Sequence, residues 1–158
     1  MQVNNRVRAI LLDRSERLML IKRVKPNRMP YWVVPGGGVE RQDADFEAAL
    51  EREIMEELGG TIEIEKLVKV LEYHGDDDCT VRQYLYLTRL VQYDLSKRSG
   101  PEFADPTRGE YIVEAIPMTA EAISKLNLIS DEIKNFLIAN LNRFDYLPDL
   151  RSALPLTG

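Results

Sequence analysis

Apolar and polar residues alternate over several short stretches of the chain, a pattern that is typical of β-strands with one buried face. The first two stretches, residues 7–12 and 18–24, flank the polar segment 13–16, and we expect them to form a hairpin. The polar segment 94–109 is predicted to be a long loop. Further strands are predicted at 61–64, 67–73, 81–91 and 110–117, and helices near 120–126 and 130–141.

One stretch has a period of four residues instead of two. Four apolar side chains recur at this spacing and predict a helix with one face in the core: Phe46, Leu50, Ile54 and Leu58. Gly59 and Gly60 follow them, and glycine commonly ends a helix. The pattern therefore predicts a helix that ends at residue 58.

Three carboxylates lie beside the apolar face of this predicted helix. Glu53, Glu56 and Glu57 occupy an arc of roughly 100°, and carboxylates this close repel one another unless a cation lies between them. Oxygen ligands without a neighbouring His or Cys suit Mg²⁺ or Mn²⁺, and protein-bound Mg²⁺ commonly contacts substrate phosphates. The alternative is a solvated acidic helix face, in a chain of which 30% of the residues are charged.

The segment before the helix favours a functional site. Residues 32–34 form an apolar run that leads into Gly36, Gly37 and Gly38, and glycines let a backbone approach a ligand closely. The order of strand, glycine loop, acidic helix and strand resembles the MutT-like Nudix hydrolase superfamily. Its signature is Gly-x5-Glu-x7-Arg-Glu-aliphatic-x-Glu-Glu-x-Gly-aliphatic. The second half of the signature matches residues 52–59, Arg-Glu-Ile-Met-Glu-Glu-Leu-Gly.

The first half of the signature departs from the family pattern by one residue. If Gly38 leads the signature, the spacing to Arg52 is regular, but Ala44 takes the position of the acid. If Gly37 leads, Asp43 takes that position and one residue is inserted before Arg52. We favour Gly37 and Asp43, because the insertion then lies at the entrance of the helix, where an aspartate can cap the first turn.

The resemblance implies an α+β fold, an α/β/α sandwich with a mixed central β-sheet. It implies that Glu53, Glu56 and Glu57 bind the catalytic metal. This metal would be Mg²⁺, with Mn²⁺ as a possible substitute. The backbone carbonyl of Gly37 would complete the metal shell. Arg52 would orient a neighbouring carboxylate, since Glu56 follows it by four residues, a spacing at which helical side chains meet.

The resemblance also implies a reaction, which is hydrolysis of a diphosphate linkage by attack of metal-activated water on phosphorus. In members of the superfamily, one of the signature glutamates or a later glutamate is the general base. We predict Glu110 as the later glutamate and Glu114 as the second choice. The substrate is predicted to be a nucleoside diphosphate linked to another group X, bound by Arg23, Lys25, Arg28, Gly37 and Gly38.

Two other functions stay open at this point. A Nudix-fold module that binds or senses a nucleotide without cleaving it is one, but such modules typically lose signature glutamates that this chain keeps. An isopentenyl-diphosphate-type isomerase shares the fold, but it relies on a catalytic cysteine that Cys79 does not obviously supply.

Composition and charge limit the number of domains, the location and the partners that we expect. A chain of 158 residues, 44% of them hydrophobic, can bury one core, and we predict a single domain, 1–158, with C-terminal helices near 119–142 and a tail at 143–158. Without an apolar run of about 18 residues or a signal-peptide pattern, we expect a cytoplasmic protein with no membrane partner. The net charge of −5 argues against a nucleic-acid partner. The expected partner is a small nucleotide, and a homodimer is left open.

Overall fold

A mixed β-sheet of eight strands lies at the centre of the computed structural model, which describes residues 2–76 and 78–154. The strands are β1 (Gln2–Leu12), β2 (Leu18–Val24), β3 (Tyr31–Val33), β4 (Gly36–Gly38), β5 (Gly60–His74), β6 (Cys79–Tyr93), β7 (Glu110–Ile116) and β8 (Leu128–Ile129). Six lie in the order β5-β6-β1-β2-β3-β8, while β4 pairs with β1 and β7 with β2. The β1–β6 and β3–β8 pairs are parallel, and β1 and β2 form the predicted antiparallel hairpin.

Helices cover both faces of the sheet. They are α1 (Phe46–Leu58), α2 (Ala120–Ser124) and α3 (Asp131–Ala139). Ala9 and Leu11 of β1 pack in the core beneath α1, whereas Ile10 and Leu12 pack in the core beneath α2 and α3. This alternation confirms the expected layered α+β fold. Among the described residues, no helix is long and apolar enough to cross a membrane.

Two details of the sheet differ from the sequence prediction. The predicted strands 61–64 and 67–73 are one strand, β5, because register shifts between Ile64 and Lys66 and between Leu67 and Lys69 let its ladder with β6 continue. The predicted helices 120–126 and 130–141 are shorter, and the two-residue strand β8 lies between them. A strand of two residues has no alternation for a sequence pattern to reveal.

The segment 94–109, predicted to be a long loop, contains short 3₁₀ helices. They are Leu95–Lys97, Pro101–Phe103 and Pro106–Arg108. Asp94 caps the first by accepting from the Ser96 N–H at 3.0 Å. Asp105 caps the third in the same way, with the Thr107 N–H at 3.0 Å. Single turns of this kind have no hydrophobic period, so the sequence pattern could not show them.

Both ends of α1 are fixed by hydrogen bonds. At its start, Asp45 Oδ1 accepts from the Ala48 N–H at 2.7 Å. At its end, Gly59 has φ of 60°, and a Cβ there would lie 2.0 Å from a backbone oxygen, so the position requires glycine. Arg52 ties the helix to the preceding loop, because its Nε and Nη2 donate to the two carboxylate oxygens of Asp43 at 2.8 and 2.9 Å.

The chain after α3 packs along the outer edge of β5. Phe144 is buried in the core beneath α3. Residues 147–151, which we name the C-terminal clasp, form three hydrogen bonds with β5: Lys66 Nζ to Leu147 O at 2.7 Å, Leu67 N to Asp149 Oδ1 at 3.1 Å, and Arg151 Nη2 to Glu65 O at 2.7 Å. The clasp therefore covers part of an edge strand. Residues 155–158 of the predicted tail lie outside the described residues.

Replacement of Asp149 by Ala is expected to lower the free energy of unfolding by about 1–3 kcal/mol, because the buried Leu67 N–H loses its acceptor. Urea unfolding followed by circular dichroism measures the change. Asp145→Ala is the matched control, since the Asp145 side chain is 79% exposed and its ion pair with Arg89 spans 3.8 Å. We expect the control to change stability by less than about 0.5 kcal/mol. Equal losses in both variants would contradict the role of the clasp.

The Asp43–Arg52 pair is expected to make stability depend on pH. Hydrogen bonds from Arg52 hold the pKa of the Asp43 carboxyl below the usual aspartate value. The stabilisation is therefore fully present above the pKa that Asp43 has in the unfolded chain. It is lost as the pH falls through the lower pKa that Asp43 has in the folded protein. Asp43→Asn should cost about 1–3 kcal/mol near neutral pH, and this difference from wild type should shrink below about pH 4.

Urea unfolding of wild type and Asp43→Asn at a series of pH values tests this expectation. Asp45→Asn is the control, because Asn caps a helix about as well as Asp and Asp45 has no bond with Arg52 among the described contacts. A deficit in Asp43→Asn that stays constant down to about pH 2 would show that the ion pair is not its source.

Candidate active site

Strand β4 lies directly against the face of α1 that carries Glu53, Glu56 and Glu57, which we name the carboxylate face. The Gly36 N–H donates to Glu57 Oε1 at 2.8 Å. A Cβ on Gly37 would lie 2.4 Å from Glu53 Oε1, so a side chain at this position would displace the carboxylate. The sequence-predicted residues Gly37, Glu53 and Glu57 are therefore brought together, and the close approach of backbone and carboxylate explains why glycine is present.

Arg52 lies in the middle of this carboxylate face. Its Nη1 donates to Glu53 Oε1 at 3.1 Å and to Glu56 Oε2 at 3.3 Å. Its Nη2 donates to the carbonyl of Gly38 at 3.0 Å, in addition to its bonds with Asp43. The expected contact between Arg52 and Glu56 is thus present. The Asp43 hydrogen bonds, followed by the nearby carboxylate charges, raise the pKa of Arg52 and keep it a fixed cation.

Two carboxylates of the site are crowded and poorly hydrated. Glu57 is 9% exposed, and burial, followed by the charge of Glu53, raises its pKa to about 8 against the opposing Gly36 N–H. Burial also raises the pKa of Glu53, with a further contribution from Glu56, although Arg52 opposes the shift. A cation placed between these groups would favour their ionised forms.

The carboxylate face could hold a divalent metal. Its donors are carboxylate and backbone carbonyl oxygens, which Mg²⁺ and Mn²⁺ prefer, and it carries buried charge that a cation would neutralise. Among the described residues, no three acidic, His or Cys side chains form a metal-binding group as they stand. Glu53 and Glu56 bond to Arg52, and Glu57 bonds to β4. Shared coordination therefore requires rotation of these side chains.

One carboxylate near the site was not predicted from the sequence. Glu102 lies on the second 3₁₀ helix of the segment 94–109 and is half-buried. Its charge raises the pKa of both Glu53 and Glu57, which places it within electrostatic reach of the two. The segment has no periodic pattern that would have distinguished Glu102 from its other acidic residues, Asp94 and Asp105.

The two glutamates that the sequence predicts as candidates for the general base, Glu110 and Glu114, lie in surroundings that differ from those of Glu53 and Glu57. Glu110 is exposed at the start of β7, and its backbone carbonyl accepts from Arg23 Nε at 3.4 Å. Glu114 is half-buried, and its Oε1 accepts from Trp32 Nε1 at 2.7 Å. The main groups that raise the pKa of Glu57, after its burial, are instead Glu53 and Glu102.

The predicted basic residues gather around one aromatic ring. The cationic groups of Arg23, Lys25 and Arg28 lie 5.9, 5.7 and 4.1 Å from the centre of the Tyr31 ring. Arg23 also stacks on Tyr111 at 3.6 Å. The three charges therefore form one cluster, on β2 and the loop that joins it to β3.

Arg98 is a second residue that the sequence did not reveal. Its Nε donates to the carbonyl of Glu57 at 2.6 Å and its Nη1 to the carbonyl of Tyr111 at 2.8 Å. The neighbouring Ser99 N–H donates to the carbonyl of Glu56 at 3.2 Å. These bonds attach the segment that carries Glu102 to the end of α1.

Comparison with solved structures finds the same fold in other proteins. A NUDIX hydrolase from Nitrosomonas europaea has a TM-score of 0.72 at 14% identity, covering 98% of this chain and 97% of that one. A MutT NUDIX hydrolase from Burkholderia pseudomallei has a TM-score of 0.59 at 23% identity, covering 91% and 99%. A UDP-X diphosphatase has a TM-score of 0.60 at 17% identity, covering 90% and 64%. At these identities the likeness shows the fold.

Sequence comparison gives the family. No curated protein matches the chain. A family model described as the NUDIX domain matches residues 3–127, a range that holds β4, α1 and the segment of Glu102. The chain therefore belongs to the NUDIX domain family.

Proposed function

We propose that the protein is a metal-dependent hydrolase that cleaves the diphosphate linkage of a nucleoside diphosphate joined to another group X. The observation that supports this most directly is the crowding of Glu53 and Glu57 against the Gly36–Gly38 strand, with Arg52 among them. Buried carboxylates in this arrangement suit a divalent cation, and a divalent cation suits phosphate substrates.

Each residue of the carboxylate face has a proposed role. Glu53, Glu56 and Glu57, with the Gly37 carbonyl, would hold Mg²⁺, for which Mn²⁺ could substitute. A metal held there would lower the pKa of a water and screen the phosphoryl charge. The bonds with Asp43 fix the position of Arg52. Arg52 would therefore stay beside Glu53 and Glu56 when they turn towards the metal, and it would orient their carboxylates.

The general base is proposed to be Glu102 instead of Glu110. A base must lie within reach of the attacking water, directly or through one further water. Glu102 is half-buried and its charge acts on Glu53 and Glu57, whereas Glu110 is exposed at the edge of the sheet. The signature glutamates Glu53, Glu56 and Glu57 stay alternatives for the general base.

The substrate phosphates are proposed to lie between the metal face and the basic cluster of Arg23, Lys25 and Arg28, with Gly37 and Gly38 allowing close approach. One structural neighbour is named a UDP-X diphosphatase, a substrate class of this kind. A cytoplasmic location and a homodimer stay predictions from the sequence.

The isomerase alternative has little support from the position of the cysteine. Cys79 lies at the start of β6, opposite Gln2, and its Sγ accepts from Asn4 Nδ2 at 2.9 Å. Gly36 and Gly37 pair with Arg8 and Val7, further along β1. The thiol is therefore several residues along the sheet from the carboxylate face.

Glu56→Gln is expected to lower metal-dependent hydrolysis at least about a hundredfold, because loss of even an outer partner of a metal ligand costs about 10- to 100-fold. The assay uses Mg²⁺ or Mn²⁺ with nucleotide sugars, dinucleoside polyphosphates and nucleoside triphosphates, and follows phosphate release with added phosphatase. Glu51→Gln is the control, since Glu51 is an exposed glutamate of the same helix. Wild-type rates in Glu56→Gln would remove the proposed metal role.

Glu102→Gln is expected to lower kcat by about 10²- to 10⁴-fold, the usual contribution of a general base, with little change in metal affinity. Glu110→Gln is its matched partner and should keep nearly the wild-type rate. Measurement of kcat against pH completes the test, because loss of a base should also remove the acidic limb of the profile. The reverse ranking of the two variants would assign the base to Glu110.

A further inference from the structure

A stack of side chains holds the 3₁₀ helix that carries Glu102. The half-buried ring of Phe103, the next residue in the chain, contacts the Arg98 guanidinium and the Tyr111 ring. The centre of the Phe103 ring is 4.8 Å from Arg98 Cζ and 5.0 Å from the centre of the Tyr111 ring. Both distances are those of attractive contacts, one between a cation and an aromatic face and one between two tilted rings. Phe103 therefore joins the segment 94–109 to β7.

Both ends of this stack are anchored to the sheet and to α1. Arg98 donates to the carbonyl of Glu57 at 2.6 Å and to that of Tyr111 at 2.8 Å. Arg23 Cζ lies 3.6 Å from the centre of the Tyr111 ring, and Arg23 Nη2 donates to the carbonyl of Arg108. The stack thus links α1 to β2 through the segment that carries the proposed base.

Gly100 leaves the space that the Glu102 carboxylate occupies. A Cβ on Gly100 would overlap this carboxylate, whose carbon and two oxygens would be its nearest neighbours. The backbone of Gly100, with φ of −62° and ψ of 151°, is one that alanine readily adopts before a proline such as Pro101. The position therefore needs glycine for the room of the carboxylate and not for the backbone.

We propose that Phe103 and Gly100 are positioning residues that hold the Glu102 carboxylate against the carboxylate face. Phe103 fixes the 3₁₀ helix through its two ring contacts, and Gly100 lets the side chain of Glu102 fold back over the backbone. That this placement serves a general base rests on the proposed function. A reacting group that is displaced by about 1 Å can lose about 100-fold in rate, so contacts of this kind matter to the reaction.

Phe103→Ala tests the stack in the metal-dependent hydrolysis assay. It should lower kcat by up to about 100-fold with little change in KM, because the base is displaced while substrate binding is kept. Phe103→Tyr retains the ring and should retain the rate. Tyr146→Ala is the control, since it also removes an aromatic ring from a 3₁₀ helix, but from a site that is 86% exposed. Wild-type kcat in Phe103→Ala would overturn the role of the stack.

Gly100→Ala tests the same placement without loss of a ring, and it should lower kcat in the same range. Each substitution is also combined with Glu102→Gln. Because both residues act through Glu102, adding either one to Glu102→Gln should change kcat by less than about twofold. A loss as large as that in the wild-type background would show that the residue acts elsewhere, and would overturn the inference.

The outcomes separate this inference from the proposed function. A wild-type rate in Glu102→Gln would overturn the inference and leave the hydrolase intact. If no diphosphate compound is cleaved, the proposed function fails, and hydrogen exchange then tests the stack alone. The Ser99 N–H, which donates to the carbonyl of Glu56, should exchange several-fold faster in Phe103→Ala than in wild type or Tyr146→Ala. Unchanged exchange would overturn the positioning role.

Discussion

The burial of one carboxylate constrains the whole region around the site. Glu57 leaves water when α1 packs on the sheet, and the cost of burying its ionised form raises the pKa of its carboxyl. The Gly36 N–H offsets part of this cost, since a hydrogen bond to a charged group contributes about 1.5–3 kcal/mol. A shift of α1 along β4 would break this bond and leave the carboxylate unpaired. The helix and the glycine strand are therefore fixed in register by a polar contact, and the apolar ridge alone could not specify it.

The same helix also positions groups that lie more than forty residues away in the chain. The Arg98 guanidinium and the Ser99 N–H bond to the last carbonyls of α1, those of Glu57 and Glu56. These carbonyls have no partner within the helix, so the segment 94–109 satisfies them and gains a fixed position in return. These two contacts thereby hold the segment of Glu102 at the end of α1, the helix that carries Glu53 and Glu57.

Local patterns could be predicted from the sequence, and contacts between distant segments could not. The four-residue period from Phe46 to Leu58 predicted α1, whereas the glycines beside it were predicted as a loop and form the strand β4. Glu102 had no such pattern, because its position depends on hydrogen bonds to another element. The bond between Arg8 and Gln83 joins residues 75 apart in sequence. Side-chain pairs of this kind follow from the pairing of β1 with β6, which single-sequence periodicity does not specify.

The C-terminal clasp has a consequence for the timing of folding during synthesis. Its partners on β5 precede it by 81 to 86 residues, and a ribosome adds about 5–20 residues per second. The partner residues on β5 are thus synthesised roughly 4 to 17 s before the clasp residues that bond to them. During that interval the exposed strand edge can pair with another nascent chain, so the risk of aggregation is concentrated in the period before the clasp emerges.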